Sequence, residues 1–120
     1  MKNRIGYINN NNEEIFKIDL SNLSGKKLLD HVLFAVVLLE KINQPTTFYI
    51  DIRSCKLNME SLSYLRIIGK KIQPYVNKSG VIGVSSHIKP FFNLYLKYTK
   101  SNIKPFENEV EIKEYLSIDD

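Results

Sequence analysis

Ser79-Gly80-Val81-Ile82-Gly83-Val84-Ser85-Ser86 is the stretch whose reading decides the fold. Val81, Ile82 and Val84 form a short apolar run, and Gly80 and Gly83 leave two positions where a neighbour can approach closely. Ser85 and Ser86 stop the run and are suited to cap a helix. Pro90 fits the first turn of that helix, where a missing N–H costs little. The stretch predicts a buried strand feeding a helix, one step of an α/β fold. It carries no reaction chemistry of its own.

The chain has 120 residues, enough for one domain with a real core, and the expected domain is residues 1–120. Its single cysteine, Cys55, excludes an internal disulfide and fits a reducing compartment. Lys2 and Arg4 are not followed by an apolar segment of signal-peptide type, so a cytoplasmic location is expected. The net charge of +4 is unevenly spread. Six acidic residues, Glu107, Glu109, Glu111, Glu114, Asp119 and Asp120, stand against Lys113 alone in the last fourteen. An acidic last helix on a basic body fits a solvated helix face, with a nucleic-acid mimic or a self-docking tail as the sharper readings.

Working outward, Arg4–Ile8 and Ile15–Leu20 flank an all-asparagine turn, Asn9–Asn12, and predict an edge β-hairpin. Ser21–Ser24 closes it and is suited to cap a helix from Gly25 to Ile42. In that helix Leu28, Leu29, Val32, Leu33, Val36 and Leu39 recur at helical spacing. Phe34, Val37 and Leu38 widen the apolar stripe beyond what a sheet-covering helix needs. The run is too short for a transmembrane span and is fenced by Asp30, His31, Glu40 and Lys41. The surplus apolar face therefore implies a second buried surface, a partner or an apolar ligand.

Thr46–Ile52 is rich in β-branched and aromatic residues and is the clearest strand. Asp51 lies near its C-terminal end, where open α/β sheets place their ligand crevice. A helix is predicted from Met59 to Val76, with Leu62, Leu65, Ile68 and Ile72 inward, Ile67 at the border, and Arg66, Lys70 and Lys71 outward. Gly69 within it costs roughly 1 kcal/mol against alanine and implies either close packing or a weaker helix. After the Ser79–Ser86 stretch, a helix from His87 to Lys100 places Phe91, Tyr95 and Tyr98 on one face, with Leu94 beside them. Ile103–Phe106 is a last strand and Glu107–Leu116 a last helix. The order β-β-α-β-α-β-α-β-α predicts a mixed, mostly parallel sheet of about five strands packed by about four helices.

Asp51-Ile-Arg53, the run from Ile72 to Val84, Lys104-Pro-Phe106 and the helix Glu107–Leu116 together resemble the STAS superfamily of anti-sigma-factor antagonists, its small bacterial SpoIIAA-like branch above all. The resemblance covers most of residues 46–117 and rests on loose apolar patterns. It implies a STAS-like fold and regulation by docking, without catalysis. Antagonists of that family carry a phosphorylatable serine at the start of the helix after the central strand. Here the region reads Lys56-Leu-Asn-Met-Glu-Ser-Leu-Ser63 and lacks the family's Asp-Ser-Ser/Thr-Gly pattern. Glu60 falls at about the modified position, with Ser61 and Ser63 nearby. The fold is also similar to that of lipid-binding CRAL-TRIO domains.

The chemical motifs are sparse. Gly80 and Gly83 match neither a P-loop nor a dinucleotide fingerprint, and strand packing explains them. His31 and His87, the only histidines, belong to no metal-ligand cluster, so no metal and no cofactor is expected. Cys55 reads as a passive thiol, and no paired acid–base set is visible, so no enzyme is expected. Aromatic residues follow a helical period and do not interleave with lysines on a sheet face, which argues against nucleic acid. Asp51, Arg53 and Ser61 read either as a polar crevice or as a salt bridge and a helix cap. The expected function is a non-enzymatic protein-docking or regulatory domain, self-associating as a dimer or meeting a partner, with Asp51, Glu60 and Ser61 as docking or phospho-equivalent residues. Phe34, Val37, Leu38, Phe91 and Tyr95 would form an apolar interface. The alternative expectation is a carrier of a small apolar ligand or lipid, using those same five residues.

Overall fold

The computed structural model describes residues 3–10 and 13–117. Their strands are β1 (Ile5–Asn10), β2 (Glu13–Asp19), β3 (Thr46–Asp51), β4 (Val76–Ile82) and β5 (Lys104–Phe106), and their helices are α1 (Gly25–Ile42), α2 (Met59–Ile72), α3 (Lys89–Thr99) and α4 (Glu109–Leu116). The five strands form one sheet in the order β1-β2-β3-β4-β5. β1 and β2 pair antiparallel, with Ile5 opposite Ile18, and every later pair is parallel. The fold is therefore α/β with a mixed, mostly parallel sheet, as the strand–helix alternation predicts.

The strand order fixes where the helices go. From β2 to β5 each parallel crossover steps one strand in the same direction. Right-handed crossovers then put α1, α2 and α3 on the same face of the sheet. That face carries Phe16, Ile18, Phe48 and Val81, all buried with Leu28, Ala35 and Leu39 of α1. The opposite face is left to the chain beyond β5. There α4 lays Ile112 and Leu116 over Ile15, Tyr49 and Ile82. Consecutive residues of β3, Phe48 and Tyr49, thus belong to two different cores, and each is only 1% exposed.

Gly80 serves this second core. A methyl group there would come within 2.8 Å of Ile112 Cγ1, so the bare backbone is what lets α4 lie close to β4. Gly83 acts differently from the strand glycine expected of it. It falls just after β4 with φ +102°, and a methyl group would meet the Arg53 backbone nitrogen at 2.5 Å. It therefore ends the strand where the β3–α2 connection crosses close by.

Several expected boundaries shift. α2 stops at Ile72 and a 3-10 turn, Gln73–Tyr75, takes over at Pro74, so Val76 starts β4 instead of ending the helix. β4 runs longer than its apolar core because Val76 and the polar Lys78 still pair with β3, opposite Thr46 and Thr47, with Asn77 at a register shift between them. Asn9 and Asn10 belong to β1, opposite Glu14 and Glu13, while Asn11 and Asn12 lie outside the described residues, as do Lys2, Asp119 and Asp120. Ser85 and Ser86 give α3 no side-chain cap. The Ser85 carbonyl instead accepts the N–H groups of Ile88 and Lys89, and the helix begins at Lys89. Ser24 occupies the α1 N-cap without a side-chain bond.

Gly83→Ala is expected to cost more than about 2 kcal/mol, since a strained positive φ adds to a backbone clash. Gly80→Ala is expected to cost less, about 1–2 kcal/mol, because the contact is with the Ile112 side chain and not with backbone. Urea denaturation of the two variants checks the order. Equal costs would remove the special role given to Gly83.

Candidate functional site

Three parts of the molecule gather chemistry-bearing side chains. The first is the C-terminal edge of the parallel strands. Asp51 ends β3 and is 3% exposed. Its carboxylate accepts the Arg53 backbone N–H at 3.0 Å, Arg53 Nε at 3.1 Å and Arg53 Nη2 at 2.7 Å. The same Arg53 Nη2 reaches Glu109 Oε1, in the first turn of α4, at 3.1 Å. Arg53 is thus a clasp joining the β3 end to α4, and Asp51 is committed to it. Below it Tyr49 is buried with its hydroxyl unpartnered. Burial, reinforced by the negative charges of Glu109 and Asp51, pushes this phenol up to about 12.

Of the expected docking trio, Glu60 is exposed in the first turn of α2, whereas Ser61 is 5% exposed. Ser61 closes a capping box. Its N–H donates to Asn58 Oδ1 at 2.9 Å, its Oγ accepts the Asn58 N–H at 2.9 Å, and its hydroxyl donates to the Asn58 carbonyl at 3.0 Å. Asp51, on the sheet, and Ser61, in the α2 cap, share no direct hydrogen bond; each binds within its own loop. The cap was legible as a possibility in the sequence, with Asn58 as the part not anticipated.

The second is the outer surface of the α1–α3 layer. Leu33 and Val37 of α1 are 50% and 51% exposed, Tyr64 and Ile67 of α2 50% and 69%, Leu94 and Tyr98 of α3 44% and 48%. α2 packs against both α1 and α3, and within each helix the two residues lie about one turn apart, on the same side. Lys71 and Glu40 tie α2 to α1 at 3.6 Å. Arg66 ties α2 to α3 with its guanidinium carbon over the Tyr98 ring, 3.2 Å from its centre, and Lys70 Nζ lies 5.4 Å from the same ring. Arg66 Nε is buried without a hydrogen-bond partner, and no carboxylate among the described residues pairs with this guanidinium. Of the five expected apolar-interface residues, only Val37 belongs to this surface. Phe34 and Leu38 turn partly inward against the core. Tyr98 departs from the face shared by Phe91 and Tyr95 and points outward with Leu94.

The third is a cavity of about 130 Å³ between that layer and the sheet, where Phe91 and Tyr95 do point. Leu28, Ala35, Ile50 and Val81 also line it, and so does the buried Cys55. Burial, with Asp51 adding a smaller push, moves the Cys55 thiol up to about 11, in keeping with a passive thiol. Gly69 lets α3 approach α2, with the Tyr95 hydroxyl and Thr99 Cγ2 seated against it. No group of three or more His, Cys, Asp or Glu among the described residues is placed to hold a metal ion, and no helix among them is long and apolar enough to cross a membrane. Comparison with known protein families, with curated proteins and with solved structures finds no match to this chain.

The clasp makes an asymmetric expectation. Arg53→Met leaves the buried Asp51 carboxylate without its cation and is expected to cost about 2–3 kcal/mol, whereas Asp51→Asn leaves only a half-exposed arginine and costs about 1 kcal/mol less. Thermal melts at pH 7 compare them, and the reverse order would refute the account.

Tyr49→Phe removes an unpartnered hydroxyl and is expected to be neutral or stabilising at pH 7, by up to about 1 kcal/mol. The folded phenol keeps its proton above its ordinary value of 10, so its stabilisation is whole below pH 10 and is lost as pH rises toward 12. The variant should lose stability less steeply across that window. Tyr95, raised by burial to about 12, and Cys55 keep part of the slope.

Proposed function

We propose that this chain is a non-enzymatic docking domain that holds an acidic, amphipathic helix of a partner protein across the outer surface of α1, α2 and α3. The observation that carries the reading is Arg66, its guanidinium over the Tyr98 ring beside exposed apolar side chains and paired with no carboxylate among the described residues. Stacking fixes the guanidinium plane before any partner arrives, and a fixed cation is a ready site for a carboxylate. Leu33, Val37, Tyr64, Ile67 and Leu94 supply the apolar contact area around it. Lys70 beside the band extends the positive charge, while Lys71 is offset by its pairing with Glu40. A helix with acidic flanks and an apolar stripe matches both properties, and charge complementarity sets its orientation and encounter rate.

The STAS-like resemblance supports the same class of role, since such domains act by docking to regulatory partners. The five-stranded mixed sheet with helices is compatible with that family. The docking residues then move from the α2 N-terminus, where Ser61 is bound up in the cap, to the outer helical surface. Glu60 remains exposed at the edge of α2 as a secondary contact.

Two synthetic helical peptides with the same leucine spacing test this, one with glutamate and one with lysine at its polar positions. Fluorescence anisotropy is expected to show micromolar binding of the glutamate peptide, weakening as salt rises, and no binding of the lysine peptide. Ile67→Glu should lower that affinity at least tenfold, about 1.4 kcal/mol or more, while the melting temperature stays within about 2 °C because Ile67 is exposed. Equal binding of both peptides, or an unaffected Ile67→Glu, would overturn the reading.

A further inference from the structure

The layer that carries the docking band on its outside is hollow on its inside. α1, α2 and α3 cover the sheet, yet the space between them and β2, β3 and β4 is not filled, leaving about 130 Å³. Close-packed interiors hold few voids much larger than a water molecule, so this one is unusual for a chain of 120 residues. Ile50 borders this space. It sits in the central strand and faces the helices, where full burial is the rule, but it is only half-buried. Phe91 and Tyr95 of α3 and Leu65 of α2 are half-buried around the same space.

The lining dictates what can enter. Twenty residues face the space, and none is charged. The two with polar hydrogens are Cys55 and Tyr95, and burial keeps the proton on both far above neutral pH. Water in such a space lacks the two to four polar partners it needs, and an apolar cavity of about 150 Å³ lined by similar residues stays dry and takes up benzene. A carboxylate or amine would meet no counter-charge and would be desolvated at large cost.

We infer that this cavity is a binding site for a small uncharged apolar molecule about the size of one aromatic ring, enclosed between Ala35 of α1, Ile50 and Val81 of the sheet, and Phe91 and Tyr95 of α3. The site is independent of the outer docking band: the ligand is held by packing against side chains that point inward. Its size excludes a whole lipid, and its lining excludes a free fatty acid headgroup.

Toluene and benzoate, one-ring molecules that are neutral and anionic respectively, are the probes. Thermal melts of the intact chain with toluene at about ten times its dissociation constant are expected to shift upward by roughly 5 °C, with no shift from benzoate at the same concentration. Two filling variants, Ile50→Phe and Ala35→Leu, should each abolish the toluene shift. In the unaltered chain, nuclear Overhauser contacts from the toluene methyl group should reach the methyl groups of Ala35 and Ile50, which decides the matter even if both variants fail to fold. Absence of any toluene shift, an equal shift from benzoate, or contacts to other residues would overturn the inference.

Discussion

β3 has to be kept dry on both sides at once. Phe48 and Tyr49 are neighbours in the chain, point to opposite faces of the sheet and are each almost wholly out of water. Burying one aromatic ring is worth a few kcal/mol, so exposing either face would remove a large part of the domain's net stability. The rest of the architecture answers this demand. One face receives three crossover helices because the strands advance in a single direction. The other is left to α4, a helix of eight residues, which compensates for its shortness by close approach at Gly80.

The two coverings are built differently. α4 seals a small core with Ile112 and Leu116 and is held at its start by Arg53, which bridges Glu109 to the buried Asp51. The three-helix layer is broad, stands off the sheet on large side chains and is imperfectly filled. Its breadth gives an outer surface where apolar and cationic side chains from three helices lie together, and its standoff gives an inner space with an uncharged lining. The C-terminal strand edge, where open α/β sheets usually bind their ligands, is here taken up by structural work. Asp51 and Arg53 clasp α4, Ser61 caps α2 with Asn58, and Gly83 accommodates the passing backbone.

Much of the fold was legible in the residues. α1 runs from Gly25 to Ile42 as its apolar period dictates, and β3 emerges from the densest β-branched and aromatic stretch. The misread boundaries share a cause: local pattern yields to pairing. β4 begins at Val76 because β3 offers it partners, although Asn77 and Lys78 carry no strand signal. Ser85 and Ser86 look like caps, but a backbone carbonyl does that task. The candidate site was less legible. Asp51, Arg53 and Ser61 read either as a crevice or as a salt bridge and a helix cap, because nothing in the sequence tells a committed polar group from a free one; they are the salt bridge and the cap. Arg66 read as an ordinary outward cation, and its stacking on Tyr98, thirty-two positions away, leaves no trace in sequence order.

The sequence by itself determined the class of fold, the element order, the lack of any recognisable catalytic or metal-binding motif and the presence of more apolar surface than one sheet face needs. These depend on periodicity and composition, which act within a few residues of one another. Only the tertiary structure decided where that surplus went. Phe34 and Leu38 turned toward the core, Val37 and Leu33 stayed outside, and Phe91 and Tyr95 turned inward to a space that Tyr98 does not reach. Whether an apolar side chain fills a core, lines a cavity or faces water depends on the distance between a helix and the sheet beneath it. That distance, and the spacing between neighbouring helices, are set by residues far apart in the chain, Gly80 against Ile112 for α4 on the sheet and Gly69 against Tyr95 for α2 and α3.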